Sequence, residues 1–252
     1  MKNLMLIIVA AVLSLSANAQ KKSIFGGLNK ALGKDSTKVS SAVKNIGGGK
    51  GASLSNDEII SGLKEALTVG TDNSSKKLSK VNGFFADAAI KILMPEEAKK
   101  VEKTLRSFGM SSLVDKAILS MNRAAEDAAS GISTIFWDAI KQMSLQDGLS
   151  ILRGGDFAAT DYLKKTTTVT LTEKMKPVIQ ASLDKVNATQ YWKDVFSAYN
   201  KFSKQQVDTD LNAYVTKRAM DGIFYEIGLE EQKIRKDPAA QVTDLLKKVF
   251  GK

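Results

Sequence analysis

Acid–base chemistry is conceivable at six carboxylates: Asp156, Asp161, Asp221, Glu226, Glu230 and Glu231. A pair of carboxyls can hydrolyse a glycosidic bond, one as acid and the other as base or nucleophile. Spacing along the chain gives no distance between them, and most are accounted for as helix caps or solvated helix faces. Asp156, directly after Gly154 and Gly155, reads first as a cap. Arg218 and Glu226 share one face of a long helical stretch but stand eight residues apart, too far to pair along their own helix. Each needs a partner on another helix, and Asn122 and Glu126, with Asp115, flank a stripe that could supply one. Arg123 points away from that stripe. The plainer reading is a buried polar network that fixes helix register. The functional reading is a polar pocket for a small anionic or sugar ligand, drawn from Asn122, Glu126, Asp156, Arg218, Asp221 and Glu226.

Other chemistries are bounded by what the chain lacks. It has no histidine and no cysteine. Histidine-dependent triads, thiolate nucleophiles, imidazole or thiolate zinc sites and haem ligation by those residues are therefore excluded. No EF-hand spacing or glycine-rich phosphate loop is present. No catalytic residue, metal or cofactor is expected. Trp192, Val195, Phe196 and Tyr199 fall at i, i+3, i+4 and i+7. Aromatics at that spacing are core material before they are a stacking platform for sugars or bases.

These residues must be positioned by helices. The composition, 43% hydrophobic and 25% charged, is that of an ordinary globular chain. The spacing predicts an all-α bundle, a single domain over Ser55–Lys252, packed around a central buried helix at Asp208–Asp237. Leu211, Val215, Gly222, Tyr225 and Leu229 mark one face of that helix, and Met220, Phe224 and Ile227 the opposite one. A helix apolar all round is usually buried between others.

The domain opens on a capping box, Ser55 to Glu58, with Gly70 as the expected stop. Further helices are expected over Asp72–Lys80, Phe84–Leu93, from Pro95 to Gly109, Ser112–Ser130, Ile135–Met143 and Ser144–Arg153. After them come Asp156–Lys165, a helix kinked or reopened at Pro177, Tyr191–Phe202, and a last helix after Asp237-Pro238. Thr166–Thr172 is β-branched and would suit a strand. With no partner strand, it reads as an irregular lead-in to the next helix.

The formal charge of +10 suggests a nucleic-acid partner until it is divided. The leader carries +1, Gln20–Leu54 carries +6, and only +3 remains for the rest. No nucleic acid is expected, because such domains concentrate their charge on one face. Residues 1–19 read as a secretory signal peptide: Lys2, an apolar run Leu4–Leu15, then Ala17-Asn18-Ala19 before Gln20. No later segment is apolar enough to span a bilayer. The chain is expected to be exported and soluble after cleavage. Gln20–Leu54 is a flexible Gly/Lys/Ser linker. Within it Ile24, Phe25, Leu28, Ala31 and Leu32, flanked by lysines, form a short basic amphipathic pattern that suits an anionic membrane or polymer.

Five stretches carry a family resemblance. They are LSNDEIISGLKEAL from Leu54, MNRAAEDA from Met121, ILRGGDFAATDYLKKTT from Ile151, LNAYVTKRAMDGIFYEI from Leu211 and IRKDPAAQVTDLLKKVFG from Ile234. The match runs in this order over essentially all of Leu54–Gly251, and the chain resembles the exported bacterial domain-of-unknown-function family 4197. The resemblance implies an all-helical exported domain with no assigned activity and no catalytic residues to carry over. Some members look like lipoproteins. This chain departs from them in having no cysteine after its leader.

Overall fold

The computed structural model describes residues 55–200 and 210–237, with backbone alone at 194, 195, 198 and 199. The leader, the basic segment and the helix expected after Pro238 lie outside the described residues. Among the described residues the chain forms eight α-helices and no strand.

Helix α1 (Asn56–Leu78) begins at the expected capping box. The Glu58 N–H donates to Ser55 Oγ at 3.2 Å, and the Ser55 N–H donates to the Glu58 carboxylate at 2.9 Å. Gly70 does not end it. The segment expected as a second helix continues the first, and the C-cap is Ser79. Gly70 is buried against Glu230 and Ile234 of the helix at Leu211–Lys236, so burial outweighs its weak helix propensity.

Residues 79–95 contain no helix, contrary to the expectation for Phe84–Leu93. Asn82 takes a φ of 70°, and the chain turns back under the end of α1. A Cβ at Gly83 would lie 2.5 Å from the Lys77 and Leu78 carbonyl oxygens, so only glycine fits there. Ile90, Ile92 and Met94 are then buried at a spacing of two while Leu93 is exposed. That is the period of extended chain. With no strand beside it, Ile92 bonds to the Asn122 side chain instead. Its N–H donates to Asn122 Oδ1 at 2.9 Å and its carbonyl accepts from Nδ2 at 2.8 Å.

A 3₁₀ turn at Glu96–Ala98 after Pro95 leads into α2 (Lys99–Ser107), and Gly109, at φ 78°, closes the turn to α3 (Ser111–Ala129). Helix α4 (Ile132–Gln142) precedes α5 (Leu145–Arg153), which Ser144 and Asp147 cap reciprocally. The Ser144 hydroxyl and N–H both donate to the Asp147 carboxyl and hold its pKa below the ordinary value.

Helix α6 (Ala158–Asp184) runs unbroken through the threonine stretch. Thr166, Thr167, Thr168 and Thr172 each donate a hydroxyl bond to the carbonyl four residues back. Leu163, Thr167, Leu171, Met175, Ile179 and Leu183 are buried at a stride of four. Burial of that stripe outweighs the strand propensity of its β-branched members. Pro177 sits inside the helix on its exposed side, as does Glu173, whose carbonyl loses its donor.

Helix α7 (Ala188–Asn200) buries Trp192 and Phe196, with ring centroids 4.4 Å apart. Of the aromatic pattern, the Val195 and Tyr199 side chains lie outside the described residues.

Helix α8 (Leu211–Lys236) packs against α6, α1, α3 and α7 and is the centre of the bundle. Met220, Phe224 and Ile227 are buried, as are Leu211, Val215 and Gly222. A Cβ on Gly222 would come within 2.6 Å of the Phe84 ring, so α8 approaches residues 79–95 closely. Tyr225 and Leu229 belong to an exposed stripe with Lys217 and Asp221, four residues apart along one edge. The sheath around α8 is therefore open on that edge.

Candidate functional site

The open edge of α8 borders a groove against α6 of about 300 Å³. Its α6 wall carries Lys164, Thr168, Thr172 and Lys176, one residue per stride of four. Such a stride puts all four on one side of the helix and spans about 18 Å. Its α8 wall carries Thr216, Lys217 and Asp221, with Met220 and Phe224 below. Among the described residues, Lys164, Lys176 and Lys217 make no ion pair, whereas Asp221 is held by Arg218 at 3.4 Å. The Lys164 ammonium stands 5.9 Å from the centroid of the Phe224 ring, at the outer reach of a cation–π contact. Asn212 closes one end by donating to the Lys176 carbonyl at 3.1 Å. Three uncompensated ammonium groups around one concave surface make it attractive to anions.

A second cleft, between α1, α6 and α8, has about 30 Å³ of free space. That is room for about a single water, not for a ligand.

The residues singled out in the sequence fall in separate places. Asn122 and Glu126 hold residues 79–95 to α3. Glu126 accepts from the Phe84 and Phe85 N–H groups at 3.1 Å each and from Arg123, which also donates to Asn82. Arg123 thus reaches Glu126 and Asn82 from a part-exposed position beside the apolar stripe. Asp115 pairs with Arg106, not with α8. Glu226, only 1% exposed, pairs at 2.7 Å with Lys77 on α1, which also reaches Asp87. Burial alone would lower the Lys77 pKa, but the hydrogen bond and charge of Glu226, then of Asp87, outweigh it and raise it above the ordinary value. Arg218 pairs with Asp221 at the surface.

Asp156 forms a surface pair with Lys236 at 2.9 Å. It does not cap α6. Glu231 does so from α8, accepting from the Ala159 N–H at 3.0 Å and from the Thr160 N–H and hydroxyl at 2.8 and 2.7 Å. Arg235 bonds the same carboxylate and the Ile151 carbonyl. Glu230 takes Asn73 at 3.0 Å and Lys233, and Asp161 is exposed on α6.

Asp156 and Asp221 stand far apart, whereas Glu226 and Glu230 are neighbours one turn apart on α8, each tied to α1, by Lys77 and Asn73 respectively. Lys236, the partner of Asp156, lies about four turns along α8 from Asp221, a rise of about 22 Å. Glycosidase carboxyls stand about 5 to 9.5 Å apart. Among the described residues no acidic cluster could hold a metal ion, and no helix is long and apolar enough to cross a membrane.

Only Asp221, with Arg218 beside it, connects the expected polar pocket to the groove. Spacing alone does not single out the groove lysines and threonines. Their signal is the stride Lys164, Thr168, Thr172, Lys176, which is visible only if the threonine run is taken as helix.

Fold and groove together define an all-helical domain with a basic, hydroxyl-lined cleft along its central helix pair. The chain belongs to the family described as "Protein of unknown function (DUF4197)", whose model matches residues 53–251. No curated protein and no solved structure matches it.

Proposed function

We propose that this protein is an exported, non-catalytic binding protein of the bacterial cell envelope that takes an anionic ligand into the α6–α8 groove. The observation that carries the reading is a set of three lysines around one concave surface that make no ion pair among the described residues. The remaining polar constellations have structural work already: Glu126, Asn122, Glu226 and Glu231 hold segments of the fold together. The basic segment Gln20–Leu54, carrying +6, supports a loose second contact with anionic lipid or polymer. In this reading residues 1–19 are a leader, 20–54 a tether and 55–252 the binding domain.

The groove is tested by titrating polyacrylate, a simple polyanion, into the full chain and into its K164A/K176A/K217A variant. Exposed charge pairs contribute up to about 1 kcal/mol each, so the variant should bind roughly ten- to a hundredfold more weakly. Unchanged affinity would overturn the groove reading, and the tether is common to both proteins. Export is tested by sequencing the N-terminus of protein from the periplasmic fraction. The expected first residue is Gln20; a chain still beginning at Met1 would contradict it.

A further inference from the structure

We infer that the ligand of the groove is an anionic carbohydrate, a sugar chain carrying carboxylate or phosphate groups beside free hydroxyls. The inference rests on the binding role proposed for the same groove. It comes from the direction of the threonine hydroxyl bonds. Thr168 donates to the Lys164 carbonyl at 2.5 Å, Thr172 donates to the Thr168 carbonyl at 2.8 Å, and Thr216 donates to Asn212 Oδ1 at 3.0 Å. A hydroxyl has one proton and two lone pairs. With these bonds in place the exposed Thr168 and part-exposed Thr172 hydroxyls offer lone pairs to the groove, while Thr216 is buried beneath it.

A bare carboxylate brings no donor and meets those lone pairs as an unfavourable neighbour. A sugar hydroxyl donates to them. The charged groups of such a ligand fall to the lysines. Lys164 and Lys176 stand about 18 Å apart along α6, with Lys217 on the opposite wall. One small anion cannot touch both ends, whereas a chain of a few sugar units can.

The test compares two probes on the full chain: oligogalacturonate, which has a carboxylate and free hydroxyls on each unit, and polyacrylate with the same number of carboxylates. Galacturonate should bind more tightly. T168V/T172V keeps the branched shape and removes both acceptors. It should weaken galacturonate by roughly fivefold per hydroxyl and leave polyacrylate binding equal or slightly tighter. T168S/T172S keeps the hydroxyls and should bind as the original does. It also serves if the valine variant fails to show the original helical circular dichroism. Equal affinity for both probes, or galacturonate binding indifferent to T168V/T172V, overturns the carbohydrate inference and leaves the groove standing. Galacturonate binding that ignores K164A/K176A/K217A, or no binding of either probe, overturns both.

Discussion

Lys64 and Lys77 sit on the same helix and respond to burial in opposite ways. Lys64 is 4% exposed, and its ammonium donates to one carbonyl, that of Lys141 in the last turn of α4, at 3.0 Å. The negative end of that helix offsets part of the cost of burying a charge. The rest lowers the Lys64 pKa below the ordinary 10.5. Lys77 is raised instead, because Glu226 and Asp87 together outweigh its burial. The consequences for stability have opposite signs. With Lys64 the unfolded chain binds more protons than the folded one between the two pKa values, so stability rises with pH as 10.5 is approached from below. With Lys77 the contribution is complete below 10.5 and is lost above it, as pH climbs through the raised folded value. Urea midpoints measured across this range should show the alkaline rise missing from K64M and the later fall diminished in K77M. Parallel profiles for K64M and the original chain would contradict the account of Lys64.

Among the elements, α6 shows how one side chain from elsewhere can define a helix start. Its N-cap, Phe157, supplies no side-chain bond, and the free amides of Ala159 and Thr160 go to Glu231 on α8. Glu231→Ala should cost about 3 to 5 kcal/mol, since it leaves Arg235 half-buried without its partner and strips the start of α6. Chemical denaturation measures this directly, and a loss under 1 kcal/mol would mean that water replaces the carboxylate. The same borrowing explains which elements were legible. The boxes at Ser55 and Ser144 are local, so four consecutive residues announce them. The stripe of α3 and most of α8 follow from apolar spacing alone. The caps of α6 and the path of residues 79–95 depend on Glu231, Asn122 and Glu126, each distant in sequence. The threonine run misled for a related reason: its hydroxyls bond backward within the helix, and its buried members Thr167 and Leu171 belong to a stride of four. Read as an irregular lead-in to the next helix, that run conceals the α6 wall of the groove.

At the scale of the molecule, α6 and α8 share one long contact, and the groove is a shallow trough beside it. Lys217 on α8 stands across that trough from Lys164 and Lys176 on α6, and Asp221 in the same wall is already held by Arg218, so the trough carries an excess of positive charge and a small repulsion between the two helices. An anionic ligand both removes the repulsion and bridges the helices, and it has no such site in the unfolded chain. Its binding must then raise the unfolding temperature. At a ligand concentration about a hundredfold above Kd the gain is about 2.7 kcal/mol. In a domain of this size each kcal/mol shifts the midpoint by about 2 to 4 °C, so oligogalacturonate should raise the Tm by roughly 5 to 10 °C. At the same ligand concentration the K164A/K176A/K217A variant, binding roughly ten- to a hundredfold more weakly, should gain only about 0.4 to 1.4 kcal/mol, a shift of roughly 1 to 5 °C, while its own Tm without ligand stays equal to the original or slightly above it. Added salt should shrink the ligand-induced shift, because the contacts are exposed and screened. A shift of the same size in the lysine variant would place the stabilising contact away from the α6–α8 trough.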